Sequence, residues 1–203
     1  MKKIIHILAI LFAFQIGFSQ TAEQYNDRGI SKDALGKIQE ALEDYNKAIE
    51  LNPTYSSAYS NRAFSNYKLG NYYEAIEDCD KAIKLNYNNY RAYNNRGISK
   101  DALGKIQEAL EDYNKAIELN PIYITPLINR AVLKNNLEKY NEAIKDCDKA
   151  IQIDKNCEDA YLTRSYSNAK LGNIKDAITD AKIALRINPN NIGAKNNIIF
   201  LTK

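Results

Sequence analysis

Residues 29–52 read GISKDALGKIQEALEDYNKAIELN, and residues 97–120 read the same, letter for letter. The offset is 68 residues, and DCDKAI at 78–83 returns at 146–151 with the same offset. Half of that, 34 residues, is the working register: Ala41, Ala75, Ala109, Ala143 and Ala177 fall on it, as do Ala48, Ala82, Ala116, Ala150 and Ala184. A chain repeating at such a period folds as an array of like units, each packed mainly on its sequence neighbours. Two alanine series seven residues apart mark one face of a helix, where small side chains allow a close neighbour.

Five units run over about 22–55, 56–89, 90–123, 124–157 and 158–191. Each opens with a helical stretch such as Tyr93-Asn94-Asn95-Arg96-Gly97-Ile98. A break follows at Gly36, Gly70, Gly104 and Gly172, with Glu138 in the fourth unit. A second helix then carries apolar residues at helical spacing, for example Ile106, Ala109, Leu110, Tyr113, Ala116 and Ile117. Asn52-Pro53, Asn120-Pro121 and Asn188-Pro189 read as helix stops, because proline lacks a donor and disfavours helix in the residue before it.

A helix–turn–helix unit of this period resembles the tetratricopeptide repeat (TPR). In the third unit the residues that carry the resemblance are Tyr93, Gly97, Leu103, Gly104, Ala109, Tyr113, Ala116 and Pro121. The resemblance spans roughly residues 22–191. It implies an all-α fold, a right-handed superhelical α-solenoid of about five helix–turn–helix repeats, with residues 192–203 as a partial capping helix. Ile198, Ile199 and Leu201 are expected to cover the last repeat, with Phe200 projecting elsewhere. There are departures from the family pattern. Arg28, Arg62, Arg96, Arg130 and Arg164 stand where the family more often has leucine, and Cys79, Cys147 and Ala181 replace the aromatic supplied by Tyr45 and Tyr113. Tyr87 and Lys155 replace the terminal proline.

Two polar series keep the register. The five arginines recur together with Asp44, Asp78, Asp112, Asp146 and Asp180, and we read them as ion pairs between a first and a second helix. Whether partners share a repeat or lie in adjacent ones is open at this level. Asp27, Asn61, Asn95, Asn129 and Thr163 form the other series, widened by Asn26 and Asn94. It points about 100° away from the arginines, toward the concave side that the resemblance assigns to the first helices. Amides there can hold an extended peptide backbone or merely solvate the helix. Around them the expected lining is Ile30, Ser57, Ser60, Phe64, Tyr67, Arg91, Ile98, Asp101, Ile128, Val132, Leu162 and Tyr166. Phe64, Tyr67 and Tyr166 are the aromatic anchors, with inter-repeat packing as the alternative reading of Phe64. The candidate peptide-binding set is therefore Asn26, Asn61, Phe64, Tyr67, Arg91, Asn94, Asn95, Asn129 and Tyr166. Some members of the family clamp a C-terminal carboxylate with lysine and asparagine. Here Ile30 stands where that lysine is needed, so the clamp is incomplete.

The N-terminus reads as an address. Met1-Lys2-Lys3 precedes a mostly apolar run from Ile4 to Phe18, and Gly17 and Ser19 are small residues two apart. This is the layout of a cleavable signal peptide over residues 1–19, cut between Ser19 and Gln20, and it implies a periplasmic or secreted protein. The apolar run is short for a membrane span of about 20 residues, though a retained anchor is the alternative. Once residues 1–19 are removed, Lys2 and Lys3 are gone from the 28 basic residues, and 26 face 25 acidic ones. No basic excess is left to draw nucleic acid or anionic lipid. The single histidine, His6, is removed as well, which excludes histidine-based triads and histidine-ligated metals. No phosphate loop, zinc cysteine pair or nucleophile elbow is present, and no cofactor or metal is expected. Cys79 and Cys147 read as small core residues too far apart to bridge, and Cys157 as a free thiol or a bridge to a second copy. The expected function is a non-enzymatic, exported interaction scaffold or adaptor holding an extended peptide or partner helix. The alternative is a structural assembly element of a cell-envelope complex that binds through the solenoid ends.

Overall fold

A computed structural model describes residues 20–202. The expected signal peptide, residues 1–19, and Lys203 lie outside the described residues. The described chain is helical, with no strand: α1 (Ala22–Ala34), α2 (Ile38–Leu51), α3 (Ser56–Lys68), α4 (Tyr72–Leu85), α5 (Tyr90–Ala102), α6 (Ile106–Leu119), α7 (Thr125–Asn136), α8 (Tyr140–Ile153), α9 (Glu158–Lys170), α10 (Ile174–Ile187) and α11 (Ile192–Leu201).

Consecutive helices pack as five hairpins, α1–α2 through α9–α10, and α11 rests on α9 and α10. First helices of neighbouring hairpins approach closely along the row α1, α3, α5, α7, α9 and α11, whereas the backbones of successive second helices stay farther apart. The more closely spaced row lies on the inside of the curve, so the first helices form the concave face.

Local chemistry sets the turns. Each hairpin turn places one residue at positive φ: Gly36, Gly70, Gly104 and Gly172, and Glu138 at 58°. At the first turn Lys37 N–H donates to Lys32 C=O at 2.9 Å and Gly36 N–H to Asp33 C=O at 3.1 Å, a Schellman cap. Proline is only part of what stops the second helices. The side chains of Asn52, Asn86, Asn120, Asp154 and Asn188 each accept from the backbone N–H two residues on, at 2.8–3.3 Å. This turn occurs in all five units, with or without the proline.

The ten register alanines of the second helices are fully buried. Ala58, Ala92, Ala160 and Ala194 add a matching buried series on the first helices, with Pro126 at that position in α7. Ala194 continues the register into α11, which therefore sits as a sixth first helix. Ile198 and Leu201 are partly covered there, but Ile199 is exposed, contrary to its expected role as a cover. Ile198 and Leu201, three residues apart, share a helix face, and Ile199 points about 100° away from Ile198.

The arginine series is resolved as a set of staples. Arg62 Nε donates to Asp78 Oδ2 at 2.9 Å and Nη2 to Asp78 Oδ1 at 2.5 Å, while Nη1 reaches Asn46 Oδ1 of the preceding hairpin at 2.7 Å. Arg96 holds Asp112 in its own hairpin and Asp80 in the one before, at 2.6 Å in each case. Arg130 joins Asp146 to Asn114, and Arg164 joins Asp180 to Asp148. The ion pairs thus lie within one repeat, and the third guanidinium nitrogen ties that repeat to its predecessor. Lys32, Lys100 and Lys134 add a second cation to the same aspartates at 2.9 Å.

Candidate functional site

The asparagine series lies where the first helices meet. Asn61 Nδ2 donates to Asn26 Oδ1 at 2.8 Å, Asn129 Nδ2 to Asn94 Oδ1 at 3.0 Å, and Asn95 Nδ2 to the Ser60 carbonyl at 3.0 Å. Asn26, Asn94 and Asn95 are only 3%, 3% and 8% exposed. The expectation of a ladder of free amides is corrected here. Adjacent first helices come close enough for the amides to bond across the gap, so these donors stitch repeats together. Asn61 and Asn129 remain partly exposed.

Tyr67 and Asn129 are brought into one cavity of about 300 Å³, lined also by Ile98, Asp101, Ala102, Tyr113 and Val132. It spans α3, α5, α6 and α7. Phe64 stacks beside Tyr67, with centroids 6.3 Å apart and planes 17° apart, and Lys68 Nζ lies 4.5 Å from its centroid. The remaining two candidates stand apart. Arg91, exposed, lies over the rings of Tyr90 and Tyr123 at 5.6 and 5.7 Å. Tyr166, also exposed, lines a separate cavity of about 300 Å³ beneath α11, with Ile174, Phe200 and Leu201.

Electrostatics distinguish the central cavity. Burial pushes the Asp101 carboxyl above its ordinary value. Burial also raises the Tyr67 phenol, helped by the nearby Tyr72 and Asp101. Tyr113 is pushed up most strongly, again by burial first and then by Asp101. Its hydroxyl is buried with no hydrogen-bond partner among the described residues. The sequence marks Tyr113 only as a core position, because its ring does pack with Ala109 and Leu133. What that reading misses is the hydroxyl at the ring's far end.

The cysteines offer no surface chemistry. Cys79, Cys147 and Cys157 are free and buried. Cys157 sits with Ile117, Leu127, Ala150 and Ala160, so the expected option of a bridge to a second copy is corrected: apolar packing covers the thiol. No group of three or more potential metal ligands occurs among the described residues. No described helix is long and apolar enough to cross a membrane.

The pattern described as tetratricopeptide repeat matches residues 56–89, 90–123 and 126–157, and that described as TPR repeat matches residues 34–70. No curated protein matches by sequence. Among solved structures, the chain is similar to a thermophilic TPR protein of Thermus thermophilus, with a TM-score of 0.78 and 18% identity over 90% of this chain and 99% of that one. It is also similar to YrrB, described as a TPR protein with an unusual peptide-binding site, at a TM-score of 0.62 and 22% identity over 86% and 90% of the two chains. The first TPR domain of Spaghetti (RPAP3), solved with an HSP90 peptide, is similar at a TM-score of 0.54 and 30% identity over 59% of this chain and 94% of that one.

Proposed function

The chain belongs to the tetratricopeptide repeat family, whose repeats mediate protein–protein interaction, and on that premise we propose that it is an exported, non-enzymatic scaffold holding an extended peptide along its first helices. The observation that carries this reading is the cavity shared by Tyr67, Ile98, Asp101, Asn129 and Val132. It joins three consecutive hairpins on the concave face and mixes apolar walls with polar groups, the composition that lets a groove hold a chain in one register. Two similar structures, YrrB and the Spaghetti domain, are described with a peptide-binding site or a bound peptide. Export rests on the pattern of residues 1–19, and N-terminal sequencing that finds Met1 in the processed protein counts against it.

A second reading, assembly through the solenoid end, is favoured by Phe200, which is 80% exposed beside the cavity under α11. Affinity capture from the envelope fraction separates the two. Groove binding predicts that Val132→Glu, at an exposed position, loses the partner while removal of residues 192–203 keeps it. End-on assembly predicts the reverse, and a partner lost in neither variant defeats both.

A further inference from the structure

The two copies of the duplicated segment differ in what the following hairpin brings to them. In the first copy, Asp33 is closed off from α3: Lys68 Nζ lies 2.6 Å from Oδ2, and the Ser65 hydroxyl donates to Oδ1 at 3.0 Å. That hydroxyl also lies near enough to the Tyr45 phenol to oppose the rise that burial gives its pKa. In the second copy, Asp101 and Tyr113 occupy the places of Asp33 and Tyr45. The residues matching Ser65 and Lys68 are now Leu133, which has no donor, and Asn136, which is exposed. Both partners of the first copy are missing from the second, and the result is a cavity of about 300 Å³ lined by Asp101 and Tyr113, with the Tyr113 hydroxyl buried and unpartnered.

We propose that this cavity receives a lysine side chain of the bound peptide, its ammonium taking at Asp101 the place that Lys68 takes at Asp33. The proposal deepens the groove reading and rests on it. An ammonium offers charged donors that suit the Asp101 carboxylate, which has no ion-pair partner among the described residues. The methylenes lie against Ile98 and Val132, and the Tyr67 ring stands at the rim, where a cation over an aromatic face is attracted. The chain supplies its own template for the occupant: a lysine closes the equivalent aspartate one duplication earlier.

The test titrates the purified protein with a blocked heptapeptide, Ala-Ala-Ile-Lys-Ile-Ala-Ala, and with the same peptide carrying norleucine or arginine at its centre. The lysine peptide is expected to bind at least about tenfold more tightly than the norleucine one, the scale of a charge-assisted hydrogen bond. Asp101→Asn removes the preference. The double variant Leu133→Ser with Asn136→Lys rebuilds the first copy's closure, so it removes the preference too. Because Leu133 is buried against Tyr113, its Tm is expected to fall, and an unchanged helical circular dichroism spectrum with a cooperative melt shows that it is folded. Asn136→Lys alone, at an exposed position, supplies the closing lysine without the core change and is expected to weaken the preference. Equal binding of lysine and norleucine peptides overturns the lysine pocket and leaves the groove reading standing. Tighter binding of the arginine peptide, or a preference that survives the double variant, overturns it as well. Failure of all three peptides to bind the unaltered protein counts against the pocket and the groove together.

Discussion

A Cβ built on Gly97 would lie 2.7 Å from Cε1 of Tyr113 and 2.8 Å from Cδ1, so the α5 backbone rests directly on the α6 ring. Gly29 meets Tyr45 in the same way at 2.6 Å. The other hairpins make the opposite choice at both positions: Ala63 with Cys79, Ala131 with Cys147, and Ser165 with Ala181. Side-chain volume is traded between the two helices, so the cysteines are matched to their partners and do not loosen their hairpins. Gly97→Ala is expected to cost about 1–3 kcal/mol by overpacking, and Tyr113→Cys about 3–5 kcal/mol by leaving a cavity. The double variant should cost clearly less than the two together. Urea denaturation of the four proteins measures this coupling, and additive losses would show that the two positions are independent.

Arg96 couples neighbouring hairpins, because its guanidinium spans Asp112 and Asp80. The Asp112 side chain is 5% exposed and that of Arg96 19%. Arg96→Ala leaves a buried carboxylate with only Lys100 at 2.9 Å, and the expected loss is about 3 kcal/mol. Arg96→Lys should recover only part of it, since an ammonium cannot make the fork and the outward bond at once. A loss within error in equilibrium unfolding would mean that Asp112 is held well enough without the arginine.

The periodicity makes the helices, their pairing and the arginine–aspartate ladder legible, because each depends on residue type at a fixed offset. Legibility ends where the answer depends on distances between neighbouring hairpins. A helical wheel places Asn61 and Asn95 on the concave side, but only the spacing of adjacent first helices decides that their amides bond to Asn26 and to the Ser60 carbonyl. The same holds for Cys157: its place at a repeat junction suggests access, and packing by Ile117 and Leu127 removes it. Tyr113 is ambiguous in sequence because one side chain is both a packed ring and an orphaned hydroxyl. The clue to its second role is present in the sequence, in Leu133 and Asn136 where the earlier copy has Ser65 and Lys68.

Glu138 occupies the one hairpin turn that lacks glycine, at φ 58°. Its N–H still donates to Asn135 C=O at 3.0 Å, so the cap is made despite the side chain. A left-handed residue with a Cβ is disfavoured by about 1–2 kcal/mol, partly offset by the greater freedom that glycine gives the unfolded chain. Glu138→Gly is therefore expected to stabilise the protein by about 0.5–1 kcal/mol. Gly104→Glu, the reciprocal change, should destabilise by a similar amount. Thermal unfolding of both variants decides whether the turn governs the effect.

All three thiols should resist modification in the folded protein. Burial pushes Cys147 up to about 12 and raises Cys79 and Cys157 as well, so little thiolate is present at neutral pH. Ellman's reagent should label native protein slowly and all three thiols promptly in denaturant. Rapid labelling of one thiol that disappears in Cys157→Ser would show that the repeat junction opens locally.

Asp44 and Asp101 should respond to acid with opposite signs. Hydrogen bonds from Arg28 hold the Asp44 carboxyl below the usual carboxylate range against the effect of burial, and Lys32 adds to this. Its stabilising contribution is complete above the unfolded value of about 4 and fades as pH falls through the lower folded value. Asp101 has the opposite environment, since burial raises its pKa. Its charge opposes folding at neutral pH, and the penalty disappears as pH falls from the raised folded value to the unfolded one. Asp44→Asn should thus destabilise at pH 7 and Asp101→Asn should stabilise, with both differences shrinking in acid. The Asp101 difference should close first, near the unfolded value, while the Asp44 difference persists to lower pH. Urea midpoints across a pH series measure both, and a destabilising Asp101→Asn at pH 7 would mean that the carboxylate already has a partner in the free protein.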